Sequence, residues 1–264
     1  MARFLLAFLL LLLGSAAARA QSSSPAADIH AVARKYQLEL VTQSPQFPVR
    51  IRSGVIDGAE ADPTDVESYL SIFAFEWSLY PADLVQRTGL KRVVFCKELS
   101  FERQLRTGVP DFENNVLYLD VKRGRHDEIY VRKVIHHEFF HIIDLRDDGK
   151  LYEDERWCRL NPPGFKYGSG GAKLQHDPTV TTTGNDAPGF FNRYATAGVE
   201  EDKAEVFAHL MVEPKKVAER AKADKYMRAK VERMTELLAE FSPRVNASFW
   251  DDVQRASRQE TKTR

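Results

Sequence analysis

Apolar and polar positions change period several times along this chain, and each change marks an element. An unbroken apolar run from Phe4 to Leu13 comes first. Residues 21–28 are rich in Ser, Pro and Ala and read as an irregular leader. Between residues 36 and 56 short apolar pieces interrupted at Pro45 and Pro48 predict one or two short strands. From Pro63 to Tyr80 the spacing of Leu70, Phe73, Ala74 and Trp77 gives one helical face. Asp62 is placed to cap that helix, Pro63 suits its first position, and Pro81 ends it or starts a short second helix. Arg92 to Cys96 and Asn115 to Val121 are β-prone runs separated by a loop with Gly108 and Pro110. The strongest helix runs from Asp127 to Leu145, with acidic residues at its start and Asp147-Asp148-Gly149 at its stop. Residues 149–190 lose periodicity and collect Gly, Pro, Asn and Thr, the mark of a functional or disordered loop. A helix resumes from Val199 to Val212, a further one is expected from Pro214 to Phe241, and the residues from Ser257 read as a frayed polar tail. The order helix, strands, helix, loop, helices, without a linker-like break, predicts one α+β domain over residues 29–256.

The apolar run near the N-terminus changes the picture of where this domain works. Arg3 precedes it, and small residues end at Ala18-Arg19-Ala20, so residues 1–20 read as a signal peptide cleaved near Ala20-Gln21. Ten apolar residues are half of the roughly 20 that span a bilayer. Export to a secreted or periplasmic location is therefore expected, with no stable membrane anchor. In an oxidising compartment Cys96 and Cys158 are open to pairing, and two free thiols are an equal alternative. The 38 basic and 38 acidic residues balance, which argues against a nucleic-acid partner because phosphate binding calls for a basic surplus. Asn246-Ala247-Ser248 is a glycosylation sequon with meaning only in a eukaryotic host.

The chemistry lies in the strongest helix. His137-Glu138-Phe139-Phe140-His141 is an H-E-x-x-H sequence, and at helical spacing His137 and His141 share a face one turn apart. Neutral imidazoles so placed can hold one Zn²⁺. Glu138 is rotated about 100° round the helix, where it can reach a water at the metal without being a ligand. Apolar neighbours on nearly every side predict a buried helix, in which two histidines and a glutamate need a compensating partner. His136 points away from the pair and reads as a core or surface histidine.

A catalytic zinc takes a third protein ligand and keeps a fourth position open. Asp147 lies six residues past His141, but the tight turn such a ligand requires is missing, since Asp144 stands where a glycine is expected. His176 is a lone histidine in the irregular loop. Glu201 is favoured. It stands four residues before Glu205 on one helix face, with Ala204 between them permitting close approach of another helix. One carboxylate can bind zinc while the other accepts a hydrogen bond from a ligand histidine. The alternative for this acidic cluster is a solvated helix N-terminus favoured by the macrodipole.

H-E-x-x-H followed by the E-x-x-A-E of Glu201 to Glu205 resembles the glutamate-ligand zinc peptidases, the gluzincins. More narrowly, residues 115–210 are similar to the catalytic domain of anthrax lethal factor and its secreted relatives. The resemblance implies a zincin-like fold and one zinc per chain on His137, His141 and Glu201. Glu138 would then be the general base and Glu205 a support for the site. It also implies that Tyr194, seven residues before Glu201, stabilises the oxyanion. The expected substrate is a peptide or protein, its backbone adding as a strand beside Val116 to Val121 if that strand lies at a sheet edge. Its identity is not carried over. The runner-up is a non-catalytic zinc protein using the same ligands, although a structural site has no need of Glu138. A zinc hydrolase acting on a non-peptide bond and a metal-free binding module are the remaining alternatives.

Overall fold

A computed structural model describes residues 25–168, 170 and 187–263. The expected signal peptide and His176 lie outside those residues. Helix α1 (Pro25–Tyr36) leads to strands β1 (Glu39–Val41), β2 (Val49–Ile51) and β3 (Gly54–Ala59), then to helices α2 (Pro63–Ser78) and α3 (Ala82–Arg87). Strands β4 (Arg92–Phe101), β5 (Gln104–Leu105), β6 (Gly108–Asp111) and β7 (Val116–Asp120) precede the long helix α4 (Glu128–Asp148). A short helix α5 (Glu155–Cys158) and a 3-10 turn (Tyr194–Thr196) come next. Helices α6 (Val199–Val212), α7 (Pro214–Ala223), α8 (Lys225–Phe241) and α9 (Ala247–Thr263) complete the chain. The α+β architecture is the expected one.

Four details differ from the sequence expectation. Helix α1 begins at Pro25, inside the stretch read as an irregular leader. Residues 39–59 form three short strands. The helix expected over 214–241 is two, because Asp224 leaves helical geometry and caps α8 with a side chain that accepts from Tyr226 N–H and Met227 N–H. Helix α9 extends through the tail that was expected to fray, with Phe249 and Val253, one turn apart, buried on the core. Both cysteines are free thiols, Cys96 buried in β4 and Cys158 exposed.

Strand β4 is the spine of a sheet ordered β2-β3-β4-β7-β6, with β1 and β5 also pairing to β4. Strands β4 and β7 run parallel, Val94 opposite Tyr118, whereas β6 runs antiparallel to β7, Gly108 opposite Leu119. All five residues of β7 are buried. Leu117 and Leu119 enter the large helical core, and Val116 and Tyr118 enter a second cluster with Ile56, Val94 and Val109 on the other face. Such a strand reads as an unbroken apolar run because both faces are covered. It lies between β4 and β6, so the substrate-pairing role considered for Val116 to Val121 is ruled out. The edge at that side of the sheet is β6.

Helix α4 packs across the sheet and against α6. The Asp127 side chain caps its start by accepting from Tyr130 N–H at 3.0 Å. Gly149 ends it at φ 80°, a left-handed conformation in which its N–H still reaches the Leu145 carbonyl. Phe139 packs on Trp77 and Phe140 on Phe207, while His136 sits wholly buried between the Tyr80 hydroxyl and a Glu76 carboxylate oxygen at 2.7 Å. It is a core histidine, partnered away from the candidate ligands.

Buried ion pairs fix α6. Lys203 contacts both Asp144 of α4 and Asp154, the latter at 3.0 Å. Lys230 of α8 meets Asp202 at 2.6 Å with both side chains fully buried, and Trp157 Nε1–H donates to the same carboxylate oxygen at 2.8 Å. Lys230 also donates to the Gly189 carbonyl at 2.7 Å. Removing one member of a buried pair leaves the other uncompensated, a loss of about 3–5 kcal/mol. Lys230→Met is therefore expected to lower unfolding stability by about that amount in urea titrations. An unshifted midpoint would mean that the pair is energetically idle.

Candidate metal centre

The four imidazole and carboxylate groups brought together by α4 and α6 come from positions four residues apart on each helix. His137 Nε2 lies 3.0 Å from Glu201 Oε2. His141 Nε2 lies 3.2 Å from His137 Nε2 and 3.6 Å from the same Glu201 oxygen. Ligands bound at about 2.0–2.1 Å in a tetrahedron stand about 3.3 Å apart. The three observed separations bracket that edge length, so the donor set fits zinc in both chemistry and spacing. Among the described residues, these three are the group able to hold a metal ion. Asp147 is exposed at the end of α4 and stands apart from them.

Glu205, one turn beyond Glu201, lies 3.1 Å from His137 Nδ1. That contact fixes the ring so that its other nitrogen points to Glu201 and His141. Glu205 is held in turn by Asn192, whose Nδ2 donates to it at 2.6 Å. The Asn192 side-chain Oδ1 accepts from Ala195 N–H at 2.8 Å and so orders the turn that carries Tyr194. The Tyr194 hydroxyl donates to Glu201 Oε1 at 2.8 Å, at the rim of the cluster. The acidic first turn of α6 is not a solvated helix end: Glu200, Glu201 and Asp202 are all buried, Asp202 completely.

Burial costs these charges heavily, and the partners decide the outcome. Desolvation pushes the Glu201 carboxyl up, but hydrogen bonds and charge from His137 and His141 outweigh it and hold the group well below the usual carboxylate range. Desolvation likewise pushes His137 down, and Glu201 and Glu205 overcome it, so the imidazole holds its proton well above the ordinary histidine value. Glu138 differs. Burial raises its pKa, and the charges of His137 and His141 only partly offset that rise.

Glu138 also sets a steric condition on the sheet. A Cβ on Gly108, the first residue of β6, would sit 2.4 Å from Glu138 Cγ and 2.9 Å from Cδ. Only a glycine lets the edge strand lie so close over this carboxylate. The sequence reading used Gly108 as a loop marker and did not connect it to Glu138, nor did it find Asn192 or Lys203. The signals were weak: a lone Gly, a lone Asn and a lysine inside an acidic run have no spacing that marks them.

Residues 109–248 match the family described as "Putative zinc-binding metallo-peptidase". A crystal structure of a "putative zinc-binding metallo-peptidase from Bacteroides caccae ATCC 43185" superposes with a TM-score of 0.51 at 16% identity, covering 89% of this chain and 94% of that one. At that identity the likeness is one of fold. No curated protein matches the chain. The family match extends from β6 into α9 and takes in His137, His141 and Glu201. Since it covers more than half of the 264 residues, the chain belongs to the "Putative zinc-binding metallo-peptidase" family.

Proposed function

We propose that this protein is a gluzincin-type zinc peptidase that holds one Zn²⁺ per chain on His137, His141 and Glu201 and hydrolyses peptide bonds with Glu138 as general base. The observation that carries the proposal is the tetrahedral spacing of the three ligand atoms beside a buried glutamate that is no part of the ligand set. Zinc, when bound, supplies Lewis acidity that polarises the scissile carbonyl and makes water a better nucleophile. Glu138 takes the proton from the attacking water and passes it to the leaving amine. The Tyr194 hydroxyl donates to the oxyanion as the carbonyl carbon becomes tetrahedral. Glu205 keeps His137 in the tautomer that frees its Nε2 lone pair. A substrate strand pairs with the β6 edge, which brings its backbone over Glu138 at Gly108. The likeness to the lethal factor catalytic domain, with Tyr194 as its nearest point, belongs to this proposal, as do export by the N-terminal segment and work outside the cytoplasm.

His137→Ala, His141→Ala and Glu201→Ala are each expected to lose zinc in elemental analysis of the purified protein, whereas Asp147→Ala keeps it. Zinc retained by the Glu201 variant and lost by the Asp147 variant would move the third ligand to Asp147. Because a proton on His137 competes with the metal, zinc affinity should rise with pH through and above neutrality, read by chelator competition.

Glu138→Gln should lower turnover by about 10²–10⁴-fold with zinc in place. Gly108→Ala should also lower it, because the added methyl displaces the same carboxylate. Near-normal hydrolysis by the Glu138 variant would assign the base elsewhere, and zinc without hydrolysis of any peptide in a broad library would favour the non-catalytic alternative.

Tyr194→Phe keeps the ring and removes the donor. It should lower kcat by about 10²–10³-fold, the worth of one oxyanion donor, with KM and zinc content little changed. Full turnover in that variant would leave Tyr194 as a packing residue.

A further inference from the structure

Arg106 stands two residues before Gly108, where the chain enters the edge strand. Its backbone N–H donates to the Leu99 carbonyl and its Nη2 to Gln104 Oε1, both at 2.8 Å, so the guanidinium is held in place. Its Nη1 is buried and has no hydrogen-bond partner among the described residues. Burial disfavours its charged form, and Tyr194, Glu138 and Glu201 of the candidate site act against that loss. The next charge in reach is a second cation, Arg123, exposed on the loop between β7 and α4.

A guanidinium stays charged at any ordinary pH, and leaving one of its N–H groups buried without an acceptor is costly. The buried Arg132, by contrast, has the Glu76 carboxylate as its acceptor. For Arg106 no carboxylate stands within ion-pair distance among the described residues. Of the nearby carboxylates, Glu201 is taken up by both histidines and Tyr194, and Glu138 lies beneath Gly108 without forming an ion pair with Arg106. Among the described residues no acceptor remains for this N–H, and a molecule bound beside the edge strand can supply one. The planar fork of a guanidinium fits a carboxylate best.

We propose that Arg106 is a specificity-determining residue that binds a carboxylate of the substrate next to the scissile bond. This rests on the peptidase function above. The carboxylate is either an Asp or Glu side chain or the free C-terminus of a peptide, and a matched set of peptides separates the two. One pair differs by Glu against Gln, the other by a free against an amidated C-terminus. Binding of each to zinc-loaded Glu138→Gln protein is measured by calorimetry, so that no hydrolysis is needed, and kcat/KM is measured with the native enzyme.

One carboxylate-bearing member is expected to bind at least about tenfold more tightly than its amide, the effect of a hydrogen bond to a charged group. The pair that shows the preference names the source. Arg106→Gln should remove the preference and Arg106→Lys retain part of it, with zinc content and far-UV circular dichroism unchanged in both. Equal binding within both pairs, or no measurable binding of any member, overturns the proposal. So does an Arg106→Gln variant that loses turnover equally on all peptides while keeping the preference, which would mean that Arg106 acts on Glu138 or the oxyanion. A preference in binding without hydrolysis by the native enzyme would sink the peptidase function and leave the carboxylate site standing.

Discussion

Everything at the metal centre depends on the register between α4 and α6, and one buried cation sets it. Lys203 is two residues beyond Glu201 and touches Asp144, three residues beyond His141. A slide of either helix by one turn, about 5.4 Å, would break that pair and separate the carboxylate from the imidazoles together. Hydrophobic packing alone tolerates such shifts, because apolar side chains exchange one contact for another at modest cost. A buried ammonium does not, since losing its carboxylate strands a charge in a poorly solvated interior. The Asp154 contact adds a third anchor from the cap of α5, and the Lys230–Asp202 pair extends the same logic to α8.

Acidic groups crowd the first turn of α6, where the helix dipole favours them, but the dipole accounts for only part of their cost. Three of these carboxylates each have their own set of contacts, with His137 shared by two of them through its two ring nitrogens. Asp202 has Lys230, Trp157 and Tyr167, Glu201 has the histidines and Tyr194, and Glu205 has His137 and Asn192. This division lets three negative side chains share one buried stretch, with Glu201 alone turned toward both histidines. It also explains why a Lys lies within an otherwise acidic run.

Much of this was legible in the sequence, for reasons that can be named. H-E-x-x-H and E-x-x-A-E are local patterns whose spacing equals a helical turn, so geometry followed from order, and the caps of α4 at Asp127 and Gly149 are local in the same sense. What was missed depends on contacts between distant residues. The edge of the sheet fell to β6 because a short antiparallel return covers β7, and a β-prone run does not disclose its neighbours. The break at Asp224 was hidden by good helix formers on both sides, and α9 by a polar composition that leaves only Phe249 and Val253 to mark its buried face. Gly108, Asn192 and Lys203 act through residues 30, 13 and 59 positions away, at Glu138, Glu205 and Asp144 respectively.

The ion pair between Lys203 and Asp144 has a bearing on how the protein meets its metal. In small zinc-dependent domains the ion supplies the free energy of folding, and stripping it unravels the chain. Here the ligand-bearing helices are clamped by a side chain that is not a ligand, inside a core that includes Trp77, Phe139 and Phe207. The contacts that hold the two helices together are thus separate from the three side chains that face one another at the site, so a change in one set leaves the other standing.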